Sequence, residues 1–420
     1  MQAQYFDPLF YISSKEMPFN IRIEVSLKEP VCEKCLTNAV NTAIKRFPYF
    51  SIRVVEKEGE LLTVPNDLPI VVYSGLDVYP LGSEKVNYHM LAIEYSENTV
   101  YFCTSHVITD GGGFEPFMKS VLYYYLSEFY NIQLDSNGIY LIDTPFFDDE
   151  IENPYPEELM KDSEPLYVKK CDDYFRLCNG GYVKENEKGK VFRFKVREND
   201  MMAFSFDHDG SPSALMSVLM AKAIWDVHPD IKNSIVSAVS FNLRPGLGNR
   251  HNYRMLCSSI LLEYTEKMKN ESILKMCTCS RGMVSLQSQP ENVIYYASQR
   301  KNRFENLKKI SSLDEKKKII GQKSLEDSVD NTFSVSYVGK VDYGSLKPYI
   351  DTIYNVTDGS TYKTAFIEIA STNGWFNIAF IQGFSSDVYY KSLLNQFNKC
   401  NIKYIEDDAT DLIMPTTELP

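Results

Sequence analysis

The sequence is short of histidine, of positive charge and of long apolar runs, and each shortage narrows what the chain can do. Only 5 of its 420 residues are histidine, so few side chains can carry a proton near neutral pH. Lysine and arginine number 44 against 56 aspartate and glutamate, a net charge of −12. That balance disfavours nucleic acid as a partner, because neutralising phosphates takes clustered cations. No apolar run approaches the ~18–20 residues of a membrane span. The opening stretch "MQAQYFDPLFYISSKEM" lacks a basic segment followed by an apolar one, so it does not read as a secretory leader. A cytoplasmic location is expected. Cysteine occurs 9 times without a regular framework, which reads as free thiols. Cys32 and Cys35 form one isolated CxxC, and Cys277 with Cys279 one isolated CxC. Neither has a second pair of ligands at zinc spacing, so both read as packing residues and no metal site is expected. GxGxxG and a Walker lysine are missing too, so the triple glycine 111–113 is not a phosphate loop.

What is present is a globular chain of ordinary composition, rich in Tyr (29) and Phe (24). Its length calls for more than one core. "NIRIEVSL" (20–27) alternates as a strand with one buried face should, and "VFRFKV" (191–196) does the same. Each is followed by a helical stretch, then an X-Pro, then a further strand: "YFSIRVV" in the first half, "SIVSAVSFNL" in the second. Ser211 and Pro212 are good cap and first-turn residues for the helix of the second half. Two similarly built α/β (α+β) domains are expected, residues 1–145 and 191–420, joined by a linker over 146–190. The acidic, proline-rich run 143–166 is expected to be a solvated connector. The last part of the chain reads as strands "FSVSYVGKV", "TAFIEIA" and "WFNIAFIQG" and a closing helix "SDVYYKSLLNQFNKC". From Arg300 to Lys323 nine basic residues meet three acidic ones. This segment, Lys316, Lys317 and Lys318 included, is either a solvated face or a dock for a phosphate-bearing ligand such as the nucleotide end of coenzyme A.

The chemistry concentrates in "CTSHVITDGGGF" (103–114). "VYFCTSH" alternates with apolar groups on both faces, so His106 is expected at the end of an interior strand. The chain is then expected to turn through "VITDGGG" before a helix carrying Phe117, Met118, Val121 and Leu122. Strand, turn and packed helix hold a side chain in one place, as a catalytic base requires. His89, His208, His228 and His251 lack such a setting. Asp110 is expected to fold back into the turn, and a buried carboxylate needs a cation. Arg244, at the end of "SAVSFNLRP", is the candidate, and the pair would tie the two halves together.

"SHVITDGGGF" resembles the HxxxDG motif of the chloramphenicol acetyltransferase-like superfamily of CoA-dependent acyltransferases, which includes alcohol acetyltransferases and peptide-synthetase condensation domains. "AIKRFPYFSIRVV", "SFNLRP" followed by "RHNY" with Asn252, and "VSYVGKV" resemble other ordered segments of that superfamily. The alcohol-acetyltransferase-like branch is the nearest in pattern. Two departures stand out: Ser105 precedes His106 where condensation domains usually carry a second histidine, and Tyr337 follows Ser336 where relatives have Asn.

The resemblance implies two domains, each a mostly antiparallel mixed sheet flanked by helices, with a channel between them. It implies His106 as general base and Asp110, Gly111 and Arg244 as structural members of the site. Ser336, Tyr337 and Asn252 become candidate substrate or oxyanion contacts. No bound cofactor is implied, and acyl-CoA would be the co-substrate with a small alcohol or amine as acceptor. Two other readings stay open: a condensation-type enzyme taking its acyl group from an acyl or peptidyl carrier protein, and a non-catalytic relative that keeps the fold for binding.

Overall fold

The alternating runs become strands of two large sheets in the computed structural model. It describes residues 8–13, 17–75, 77–155, 163–171, 173–183, 187–327, 331–358 and 364–420, with backbone alone for 8–9 and 321–327. The first half runs β1 (Asn20–Leu27), α1 (Glu33–Ala43), β2 (Ile52–Lys57), β3 (Glu60–Pro65), β4 (Val72–Ser74), β5 (Leu91–Ser96), β6 (Thr99–Ser105) and α2 (Gly111–Tyr130). The second opens with β7 (Lys190–Arg197), α3 (Glu198–Asp207), α4 (Pro212–Val227), β8 (Ile235–Asn242), the single turn α5 (Arg244–Leu247) and β9 (Cys257–Tyr264). Three helices follow: α6 (Ile273–Gln287), α7 (Pro290–Lys308) and α8 (Leu313–Asp327). The chain closes with β10 (Phe333–Tyr337), β11 (Ile350–Thr357), β12 (Ala365–Thr372), β13 (Trp375–Gln382), α9 (Val388–Lys399) and β14 (Tyr404–Asp411).

The sheet orders are β11-β1-β6-β5-β4 and β14-β7-β13-β12-β10-β8-β9. Most neighbours are antiparallel; β4–β5, β10–β12 and β10–β8 are parallel. The expected class, two mixed and mostly antiparallel sheets flanked by helices, is the one observed. In the first half the strand after Pro48 does not join the large sheet: β2 pairs only with β3, as a separate hairpin. The strand–helix–strand rhythm of the two halves therefore leads to different pairings.

Each sheet has its own core. Ile23 and Val25 of β1 and Phe102 of β6 meet Phe114, Phe117, Val121 and Leu122 of α2 and Leu36 and Val40 of α1. Burying each such side chain stabilises the fold by about 1.5–3 kcal/mol. α4 is apolar nearly all round and lies buried against the second sheet, with amphipathic α9 packed beside it. Its cap forms as expected: Ser211 Oγ accepts the Ala214 N–H at 3.3 Å.

The division at 145 and 191 remains a proposal, to which the topology adds an exchange. β11 pairs with β1 in the first sheet, Ile21 opposite Thr357, and Phe304, Leu307 and Ile320 of α7 and α8 sit in the first core. The two sheets are also tied by a buried carboxylate: Glu24 of β1 accepts Arg22 at 2.7 Å and Arg193 of β7 at 3.0 and 3.1 Å.

Where it is described the acidic run is only partly the expected solvated connector: 145–148, 152 and 153 are exposed, but Glu150, Pro154 and Tyr155 are buried; its residues 156–162 lie outside the described ones. Glu150 is 1% exposed and takes both guanidinium ends of Arg46, at 2.5 and 2.9 Å. The reason is Arg46 itself, buried just past the end of α1 and needing a carboxylate. Asp149 and Glu152 offer backbone carbonyls to Asn252 Nδ2, which pins the run to the second half.

Candidate active site

His106 follows β6, its backbone N–H bonded to the Phe19 carbonyl at 2.9 Å. The Phe19 ring stacks on the imidazole, with centroids 5.2 Å apart. Phe19 holds that position with φ at +52°, a backbone conformation that costs a bulky residue energy and that the surroundings must enforce. The imidazole Nδ1 lies 2.8 Å from the Thr109 carbonyl oxygen. A carbonyl can only accept, so Nδ1 carries the proton and Nε2 holds the lone pair in the neutral ring. The loop that supplies Thr109 is itself anchored: Tyr49, from "RFPYF", donates its hydroxyl to the Ile108 carbonyl at 2.6 Å.

Asp110 does not reach back to His106. It caps α2, with Oδ1 accepting the Gly113 N–H at 2.9 Å and Oδ2 the Leu256 N–H at 2.8 Å. Arg244 completes the set as a fork, Nη2 to Oδ1 at 2.8 Å and Nη1 to Oδ2 at 3.0 Å. Both residues are 5% exposed. Burial alone would push this carboxyl up; the charge and hydrogen bonds of Arg244 overcome it, and the backbone donors help hold it below the usual range. Arg244 is fully engaged, with Nε on the Asn252 carbonyl at 2.8 Å and Nη2 on that of Arg254 at 2.6 Å. The ion pair joins α2 of the first half to the end of β8 in the second.

The three glycines do not belong to the turn before the helix, as the sequence led one to expect; they are the first turn of α2. Gly113 is required by close approach. A Cβ there would stand 2.3 Å from the Tyr253 carbonyl oxygen and 2.8 Å from Arg244 Nη2. Gly111 is less constrained, its Cβ position lying 3.3 Å from Val338.

His106 lines a cavity of about 890 Å³ between the two sheets, within the size range of small-molecule sites. Its walls come from β1, the start of α2, β8, β9, α7 and the ends of β10, β11 and β12. Asp110, Gly111, Arg244, Ser336 and Tyr337 line it as well. Tyr337 packs edge-on against Phe376, and burial raises its hydroxyl above the ordinary value.

Two expectations need correcting. Asn252 is 1% exposed and spends its amide on Asp149, Glu152 and Arg254, so it braces the loop after Arg244 and is not among the lining residues. Lys316 is buried, its ammonium on the Gly59 carbonyl at 3.0 Å and on Glu60 at 3.4 Å. Lys317 reaches the Pro420 carbonyl, and Lys318 is exposed. None of the three lines the cavity; Lys169, Arg300 and Arg303 are the basic residues of its wall beside Arg22 and Arg244. Lys316 points to the β2–β3 turn, while Ile319 and Ile320 of the same helix line the cavity.

The residue that sequence reasoning passed over is Glu368. It is 7% exposed, lines the cavity, and is bonded by the Ser336 hydroxyl beside it on the neighbouring strand. Burial pushes its carboxyl up to about 7, the Ser336 hydrogen bond opposing. Its signal was a lone acid in the interior of "TAFIEIA".

The other histidines stand elsewhere. His89 bonds the Leu68 carbonyl, His208 that of Phe204, His228 the Tyr389 hydroxyl and His251 Asp149. Among the described residues no three His, Cys, Asp or Glu gather as metal ligands would, and no helix is long and apolar enough to cross a membrane.

No family model and no curated protein matches the sequence. Solved structures match over nearly the whole chain. Polyketide synthase associated protein 5 from Mycobacterium tuberculosis superposes with a TM-score of 0.58 at 14% identity, over 93% of this chain and 96% of that one. F. graminearum TRI101, solved with coenzyme A and T-2 mycotoxin, gives 0.58 at 13% identity, over 95% and 98%. The condensation domain of the Monacolin K polyketide synthase MokA gives 0.58 at 11% identity, over 94% and 95%. The chain has the acyltransferase–condensation fold. In this chain His106 lines the cavity between the two sheets.

Proposed function

We propose that the chain is an acyltransferase that moves an acyl group from a CoA thioester to the hydroxyl or amine of a small acceptor. The observation that carries this reading is the locked imidazole: Nδ1 is committed to Thr109 in the wall of a large cavity, which leaves Nε2 as the basic nitrogen. TRI101, which shares the fold, was solved with coenzyme A and T-2 mycotoxin together, and that pairing of a thiol carrier with a small acceptor is extended here to this chain. Nε2 takes the proton of the acceptor as its oxygen or nitrogen attacks the thioester carbonyl carbon. The tetrahedral intermediate then expels the thiolate, and the imidazolium returns the proton to sulfur. No acyl-enzyme forms. A positioned base contributes about 10²–10⁴-fold, and orientation of both substrates in one cavity adds to it. Lys169, Arg300 and Arg303 replace the Lys316–Lys318 segment as the proposed contacts for the donor's phosphates.

The test is thiol release from a panel of acyl-CoAs with mixed alcohols and amines, for the wild type and His106→Ala. Turnover that falls by at least 100-fold without loss of thermal stability is expected. Unchanged turnover in the variant would remove His106 as base. Release only from a carrier-protein thioester, with none from free CoA esters, would replace the donor by a carrier protein, as in condensation domains.

A further inference from the structure

We infer that Glu368 is the recognition site for a cationic acceptor, an amino alcohol or diamine whose ammonium seats against Glu368 while its other end faces His106. The inference rests on the acyl-transfer reading and names the substrate class for it. Glu368 is a carboxyl more than nine-tenths buried in the cavity wall, and the hydroxyl of Ser336 is the neighbour that bonds it. A buried carboxyl calls for a cation, and among the described residues none is paired with it. Along the sheet, Glu368 stands opposite Ala379, and Ala379 opposite Arg193. Arg193 is thus the nearest charge in that row, one strand further on, and it is held by Glu24 and Thr410. Of the other cations in the wall, Arg22 bonds Glu24, Arg244 bonds Asp110, Lys169 bonds Glu263, Arg300 bonds the Met255 and Cys257 carbonyls, and Arg303 is engaged as well.

An ammonium suits what remains. It offers three donors; the carboxylate takes two, and Ser336 Oγ, which donates to Glu368, can still accept the third. On the facing sheet the Thr357 hydroxyl also lines the cavity, buried and without a hydrogen-bond partner. It provides a further contact for a polar acceptor. With its burial-raised carboxyl, Glu368 holds a proton over part of the neutral range, so ammonium binding expels that proton to solvent.

A series of α,ω-amino alcohols and the α,ω-diols of equal length tests this with the wild type and Glu368→Gln. In thiol-release assays the amino alcohol of best length is expected to exceed its diol at least tenfold in kcat/KM, and the preference to collapse toward unity in Glu368→Gln. Equal use of diols at every length, or a preference that survives in the variant, would overturn the inference. Should no acceptor release thiol from either CoA or carrier-protein thioesters, the acyl-transfer reading falls and calorimetric titration decides on Glu368 separately. Tighter binding of amino alcohols, with proton release read from buffers of different ionisation enthalpy and lost in the variant, supports it; equal affinities overturn it. Ser336→Ala, which removes one ammonium acceptor, is expected to weaken the same preference in part and serves if Glu368→Gln does not fold.

Discussion

Replacing Asp110 by Asn separates an anchor from a catalyst. Asp110 takes four hydrogen bonds, two on each oxygen: Gly113 N–H and Arg244 Nη2 on one, Leu256 N–H and Arg244 Nη1 on the other. An amide at this position is still a good cap, but one of its two atoms becomes a donor facing two donors. The charge also vanishes, leaving Arg244 buried with no counter-ion. Removing one partner of a buried pair costs about 3–5 kcal/mol, a large share of a net stability of roughly 5–15 kcal/mol. Calorimetric melting should register this as a drop of several degrees, and thiol release should fall alongside it. The double variant Asp110→Asn/Arg244→Met should recover part of the loss, since no charge is then stranded. The pair also sets an acid limit. The carboxyl is held below its ordinary 3.8, so its contribution is complete above that value and is lost as pH falls through the depressed one. A variant that melts as the wild type does yet releases no thiol would refute this reasoning and place Asp110 in the chemistry.

Gly113→Ala should destabilise strongly, because its Cβ meets backbone at 2.3 Å and Arg244 at 2.8 Å. Overpacking of this kind costs roughly 1–3 kcal/mol or more, whereas Gly111→Ala meets only a side chain and should melt within a degree or two of the wild type. Glu94 gives a prediction of opposite sign to Asp110. It is 0% exposed with both oxygens unpartnered, and burial lifts it from 4.5 to about 7 against the pull of Arg22. Its stabilising share is full below 4.5 and is lost as pH rises through 7. Glu94→Gln should therefore melt higher than the wild type at pH 8, by up to about 3 kcal/mol from the shift, with the gain shrinking toward pH 5. An unchanged difference across that range would sink it.

The Asp110–Arg244 pair was legible because a carboxylate inside a turn has few ways to be satisfied, and an arginine at a strand end was the best-placed cation. The strands were legible from alternation, down to Ser211 as a cap. The linker was not. Its acids and prolines read as solvated because Arg46, the residue that buries Glu150, lies more than a hundred positions away in a stretch that reads as the end of a helix. Lys316 failed for the converse reason: a lysine among lysines gives no sign that it is the buried one. Glu368 carried a signal that went unused. An acid between Ile367 and Ile369 in a strand buried on both sides is costly anywhere, and such a cost points to a ligand or a partner.

The strand exchange has a consequence for synthesis on the ribosome. Ile21 pairs with Thr357, so a nascent chain that has delivered its first half still has β1 as an open edge. Its Arg22 and Glu24 backbone groups stay unpaired until β11 emerges, and exposed edges of this kind recruit other chains. The first half is then not an excisable unit. Fragments ending near residue 145 should collect in the insoluble fraction, and co-expressing the remainder of the chain, which brings β11, should return them to solution.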